Sequence, residues 1–124
     1  MYTDETNVSS GKHLICDIKQ IKNTELLNNL DGIKNVLDNI CKKYDFKRLD
    51  VVEHVFSPVG ISLLYLLSES HISIHTFPER NYFALDIYTC REYPNNHVYE
   101  NIYEYLIECF DAKRETPVIL DRFF

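Results

Sequence analysis

The chain has 124 residues, of which 45% are hydrophobic, and a formal net charge of −6. That length suits one domain around a single core, and the even spread of apolar residues excludes a wholly disordered chain. Scattered lysines and arginines on an acidic chain argue against nucleic acid as a partner, and no apolar run approaches the ~18–20 residues that cross a bilayer, so no membrane association is expected.

Residues 1–12 are polar and of mixed charge without an apolar signal-peptide core, so 1–10 is expected to be a disordered lead-in to one domain over 11–124. With no export signal the expected location is cytoplasmic. Four widely spaced cysteines (Cys16, Cys41, Cys90, Cys109) then read as free thiols, with no zinc site and no metal expected. His13 to Ile18 reads as a strand. Asn23-Thr24 signals a helix start, and Leu26, Leu30, Ile33, Leu37 and Ile40 share one helical face. Gly32 interrupts it, which allows either one long helix or a turn over 24–29 before a main helix over 31–44 capped by Asp31. Arg48 to Ser57 is β-like and ends at Pro58-Val59-Gly60. Ile61 to Leu67 is nearly all apolar, as for a strand covered on both faces or at an interface. His71 to Phe77 alternates, with His71, Ser73, His75 and Phe77 on one side. A turn over 78–81 leads to a strand over 82–90. After Pro94-Asn95-Asn96, an amphipathic helix over 97–112 carries Val98, Ile102, Tyr105 or Leu106, and Cys109 as its apolar stripe. Pro117 to Leu120 suggests a closing edge strand. The order β-α-β-β-β-β-α-β predicts an α+β two-layer sandwich, two helices on one face of a largely antiparallel sheet.

The chemistry concentrates in FSPVGISLLYLLSESHISIHTFPERNYFALDIYTC, from Phe56 to Cys90. Ser68-Glu69-Ser70-His71 is a polar knot between two β-like runs, hence a tight turn where backbone strain can be stored. His75 stands five residues after Ser70, an odd spacing that keeps the two off one flat strand face. Cys90 ends the following strand. A Ser, a His and a Cys at the ends of adjacent strands can form a nucleophilic site, but the spacing alone equally allows a turn serine, a strand histidine and a buried thiol.

The pieces in order add more. Glu69-Ser70-His71, His75-Thr76-Phe77-Pro78-Glu79 and Asp86-Ile87-Tyr88-Thr89-Cys90 resemble the prokaryotic-type S-adenosylmethionine decarboxylases, which are pyruvoyl enzymes. Phe56, Pro58, Gly60 and Ser62 fit that family's F-x-P-x-G-x-S approach, and Gly11-Lys12-His13-Leu14 resembles its opening strand. The resemblance implies a proenzyme that cuts itself between Glu69 and Ser70 into chains 1–69 and 70–124. The pyruvoyl group made from Ser70 would form a Schiff base with the substrate amine, with no bound cofactor. It further implies His75 as the proton-moving residue of processing, an imidazole of reference pKa ~6.5, and Ser62 as its support. Cys90 is implied as the acid that protonates the decarboxylated carbon, a thiol of reference pKa ~8.5 being largely protonated at neutrality. Glu79 matches a ribose-binding carboxylate, while Phe56 and Phe77 match aromatic positions beside the adenine or the sulfonium. Family members of this size pair, so a homodimer is implied.

Some positions depart from the pattern. Leu63-Leu64 replace small residues after Ser62, Phe77 stands where Trp is favoured, Arg80-Asn81-Tyr82 replace a Tyr-Gly-Tyr-like stretch, and Arg91 replaces a Gly after the cysteine. Arg80 and Arg91 would add positive charge near the site. Three readings therefore stand: S-adenosylmethionine decarboxylation toward spermidine synthesis, a same-fold pyruvoyl decarboxylase acting on arginine or ornithine, or a non-catalytic regulatory homologue.

Overall fold

Each strand pairs antiparallel with its neighbours to give one six-stranded sheet. The computed structural model describes residues 8–124. Its strands are β1 (Ser9–Ile18), β2 (Arg48–Val55), β3 (Ile61–Leu67), β4 (Ser70–Phe77), β5 (Tyr82–Thr89) and β6 (Val118–Phe123), and its helices are α1 (Leu30–Lys43) and α2 (His97–Phe110). The sheet order is β2-β3-β4-β5-β1-β6, so the first strand lies between the fifth and the last. The expected α+β two-layer sandwich is found. Residues 1–7 of the expected lead-in lie outside the described residues, and Ser9 and Ser10 already belong to β1.

Period-two alternation decides which face is covered. Ile61, Leu63, Tyr65 and Leu67 of β3, Ile72 and Ile74 of β4, Phe83, Leu85 and Ile87 of β5, and Leu14, Cys16 and Ile18 of β1 are buried. The helices contribute Ile33, Val36, Leu37, Ile40 and Cys41 from α1 and Tyr99, Ile102, Tyr103, Leu106, Ile107 and Phe110 from α2. Removing each large side chain from water contributes roughly 1.5–3 kcal/mol. The opposite sheet face is open: Val52, Leu64 and Leu66 are 63%, 44% and 54% exposed. Within one chain, β3 is thus covered on a single face, and its outer residues Leu64 and Leu66 stand open.

Three local expectations change. A short 3-10 turn over Leu26–Asn28 precedes α1, whose cap is Asn29: its side chain accepts a hydrogen bond from the Gly32 N–H at 2.9 Å. Asp31 sits inside the first turn, where its charge meets the positive helix end but satisfies no orphan N–H. The stripe of α2 is rotated by about one residue from expectation, with Val98 and Cys109 only partly buried. Tyr99 and Tyr103 can face inward because their hydroxyls are satisfied, one paired with the Thr89 hydroxyl at 2.7 Å and the other accepting from the Glu115 N–H at 2.6 Å. Finally, β6 runs to Phe123 because β1 offers it a free edge.

Replacing Asn29 with Ala is expected to cost about 1 kcal/mol in thermal or urea denaturation, and Asp31→Ala only a few tenths. Equal losses would restore Asp31 as the cap.

Candidate active site

The β3–β4 hairpin turns in two residues, Ser68 and Glu69, and its register pairs Leu67 with Ser70 and Ser62 with His75. Glu69 takes up a left-handed conformation, φ 58°. A non-glycine residue there carries roughly 1–2 kcal/mol of steric strain, and this residue is on the acyl side of the expected scissile bond. Ser70 opens β4 on the covered side of the sheet and is 9% exposed.

Cys90 reaches the same turn from the end of β5. Its thiol donates to the Glu69 carbonyl oxygen at 2.8 Å, and its backbone N–H donates to Ser70 Oγ at 3.4 Å. Several contacts hold this strand end. Gly11 of β1 has φ +137°, and a Cβ there would stand 2.0 Å from the Thr89 carbonyl oxygen, so only glycine lets β1 pass so near Cys90. Thr89 is pinned by Tyr99 of α2. Arg91 turns away: its guanidinium donates to the carbonyl oxygens of Tyr44 and Asp45 after α1 and lies over the Phe46 ring, 5.0 Å from its centroid. The positive charge expected from Arg91 is thus spent at a helix C-terminus, whereas Arg80 stays exposed next to Glu79 in the turn after β4. Ser9, Ser10, Glu69, Tyr88, Cys90, Glu92 and Phe124 line an open cavity of about 520 Å³ here.

The other predicted residues gather at the opposite end of the hairpin. Ser62 Oγ and His75 Nδ1 are 2.6 Å apart. Phe56, Ser62, His75, Phe77 and Glu79 line a second open cavity of about 420 Å³. The Phe77 ring stacks on Tyr82 at 5.5 Å, and Phe56 meets His54 edge-on at 4.5 Å. Asn81, in left-handed conformation at φ 50°, closes the turn that presents Glu79.

The structure therefore brings Ser70 to Cys90 and His75 to Ser62, but it does not join the two pairs. Five residues of extended strand separate Ser70 from His75, roughly 17 Å at ~3.4 Å per residue. Their side chains also lie on opposite faces of β4, as their odd spacing requires. A Ser-His-Cys site within one chain is excluded for this arrangement.

Tyr88, to which the motifs assign no role of its own, also stands at the Cys90 end. The Tyr88 hydroxyl lies 3.5 Å from the Cys90 thiol and donates to the Ser10 carbonyl at 2.7 Å. Its position two before Cys90 was the available signal, since i and i+2 share one side of a strand. Around it stand His13 and His71, with ring centroids 6.1 and 6.0 Å from that of Tyr88.

One α+β sheet thus carries a thiol against a strained turn carbonyl at one end and a serine–imidazole pair at the other. The comparisons name its kin. A family model described as S-adenosylmethionine decarboxylase matches residues 12–123. The S-adenosylmethionine decarboxylase proenzyme of Thermodesulfovibrio yellowstonii is 36% identical over 112 residues, 90% of this chain and 80% of that protein. That of Oceanobacillus iheyensis is 40% identical over 80 residues, 64% of this chain and 63% of that protein. The crystal structure of the adenosylmethionine decarboxylase from Aquifex aeolicus VF5 superposes with a TM-score of 0.80 at 25% identity, covering 94% of this chain and 92% of that one. The chain belongs to the S-adenosylmethionine decarboxylase family. Among the described residues no helix is long and apolar enough to cross a membrane.

His13 gives the site's surroundings a pH dependence. Burial pushes its pKa below the usual 6.5, against the pull of Asp86 at 3.9 Å and with Arg122 and His71 adding to the lowering. The unfolded chain then takes up this proton first as pH falls. Stability from this group is complete above about pH 6.5 and is lost as pH drops through the lowered folded value. Urea midpoints should fall between pH 7.5 and 5.5, and His13→Asn should shrink that fall.

Proposed function

We propose that this chain is a pyruvoyl-dependent S-adenosylmethionine decarboxylase, matured by cleavage between Glu69 and Ser70 into chains 1–69 and 70–124. The observation that carries the reading is the Cys90 thiol 2.8 Å from the Glu69 carbonyl oxygen, on a residue held at φ 58°. Ser70 Oγ attacks that carbonyl carbon, the C–N bond breaks, and the amide nitrogen takes a proton, leaving an ester in place of the peptide. The S–H group of Cys90 steadies negative charge on the oxygen during the attack. Removing the Cα proton of Ser70 then expels Glu69 as a carboxylate. The dehydroalanine left behind adds water and loses ammonia, which leaves a pyruvoyl terminus.

The site suits such a group. Ser70 is small, opens its strand beside the Cys90 backbone N–H, and adjoins an open cavity. Once formed, the pyruvoyl group supplies a carbonyl that condenses with an amine and draws off the electrons released as CO2 leaves. Cys90 then serves as proton donor to the substrate carbon. His75, oriented through Nδ1 by Ser62, moves protons during processing. Phe56 and Phe77 flank the adenine, and the Glu79 carboxylate accepts from the ribose hydroxyls. The product would be the aminopropyl donor for spermidine synthesis. We place the activity in the cytoplasm, in keeping with four free thiols.

Two chains are needed to finish the site. The open sheet face carries exposed Val52, Leu64, Leu66 and Phe77, and the two clusters stand at opposite ends of its hairpin. A two-fold axis through that face stacks two sheets ~10 Å apart and sets the Ser62–His75 end of one chain against the Ser70–Cys90 end of its partner.

Three measurements test this. Denaturing intact-mass analysis should find two chains in the wild type and one in Ser70→Ala; a single uncut wild-type chain refutes the reading. His75→Ala alone should slow cleavage by ~10²–10⁴-fold, and co-expression with Ser70→Ala should restore cut His75→Ala chains, because the Ser70→Ala partner lends its imidazole. If cutting stays absent in the mixture, His75 does not act across an interface. Labelled CO2 should be released from S-adenosylmethionine, whereas release from arginine or ornithine alone would reassign the substrate.

A further inference from the structure

The Cys90 thiol has two acceptors within reach, and only one of them outlasts the maturation proposed above, the reading on which this inference rests. Before cleavage the Glu69 carbonyl oxygen is 2.8 Å away and the Tyr88 hydroxyl 3.5 Å away. A thiol carries one hydrogen, so the nearer carbonyl holds it. Cleavage turns Glu69 into a chain end, no longer tied to β4, and that carbonyl ceases to be a fixed acceptor.

Tyr88 stays where it is. It sits inside β5, opposite His13 of β1 and His71 of β4 in the ladder. Its phenolic proton is committed to the Ser10 carbonyl at 2.7 Å, and the Arg122 guanidinium lies over its ring at 5.5 Å. An oxygen whose proton is already placed offers Cys90 only lone pairs. We propose that Tyr88 is the positioning residue that takes over the Cys90 thiol after cleavage, fixing the sulfur and keeping its proton in place until the substrate carbon receives it. The hydrogen bond from Cys90 pushes the Tyr88 phenol above its ordinary range, which keeps it a neutral acceptor. The other ionisable groups facing the pair are Arg122, His13 and His71 around the ring, and Glu69 and Glu92 in the shared cavity.

The fate of the proton distinguishes a held thiol from a loose one. Delivered to the carbon that lost CO2, it gives the amine product, which water releases as the enzyme's carbonyl is restored. Delivered instead to that carbonyl carbon of the enzyme, it leaves the substrate nitrogen behind as an N-terminal alanine, and water releases the rest of the substrate as an aldehyde.

The test uses Tyr88→Phe, which keeps the ring under Arg122 and removes only the hydroxyl; cleaved chains are purified before assay. N-terminal sequencing of the 70–124 chain after equal turnover should find about three- to tenfold more alanine than in wild type. Iodoacetamide should alkylate Cys90 about three- to tenfold faster in cleaved Tyr88→Phe, but within about twofold of its parent in an uncut Ser70→Ala background, where the Glu69 carbonyl still holds the thiol. Tyr105→Phe, on the helix layer, is the control. Should Tyr88→Phe fail to mature, Tyr88→Leu carries the same readouts. Alanine and alkylation at wild-type levels overturn the role of Tyr88, as does equal acceleration in cut and uncut chains. Wild-type chains that never cleave overturn the function itself, whereas wild-type chains that cleave and decarboxylate beside an indistinguishable Tyr88→Phe overturn this inference alone.

Discussion

The register of the β3–β4 hairpin holds the site together. Pairing Leu67 with Ser70 leaves a two-residue turn, forces Glu69 into the left-handed region, and sets Ser62 across from His75 at the far end. A slip of one residue would send every side chain of β4 to the other face, burying His75 and exposing Ile72 and Ile74. The hydrophobic pattern forbids that slip, so the same apolar residues that build the core also fix which carbonyl meets the thiol. Stability and chemistry are thus specified by one ladder of hydrogen bonds.

A second set of constraints brings Cys90 to that turn. Gly11 allows β1 to press against the end of β5, Tyr99 grips Thr89 from the helix layer, and Arg91 anchors the next residue to the end of α1. These three contacts come from different parts of the chain and converge on neighbouring residues. Arg91 shows why a charge near a site in sequence need not act there: the exposed carbonyls after α1 draw it away.

Much of this was legible in the chain. Alternation in His71 to Phe77 gave the faces of β4, the odd spacing of Ser70 and His75 already kept them apart, and the order of motifs pointed to the family. What was hidden required tertiary context. Whether Asn29 or Asp31 caps α1 depends on where the preceding 3-10 turn stops. The inward face of α2 depends on partners for two tyrosine hydroxyls, which apolar periodicity cannot register. Tyr88 could not be singled out because nothing in a linear string records that its proton is given to the Ser10 carbonyl. The splitting of the predicted residues into two pairs follows from strand length, which spacing implies only once the hairpin is drawn.

The open apolar face has a kinetic meaning under the proposed pairing. If the proton mover and the reacting serine belong to different molecules, maturation proceeds only after encounter and is second order in newly made chain. A solitary polypeptide then carries its stressed linkage harmlessly, and the supply of active enzyme rises more steeply than the rate of synthesis. The greasy surface of one sheet would act as a census of how many copies are present.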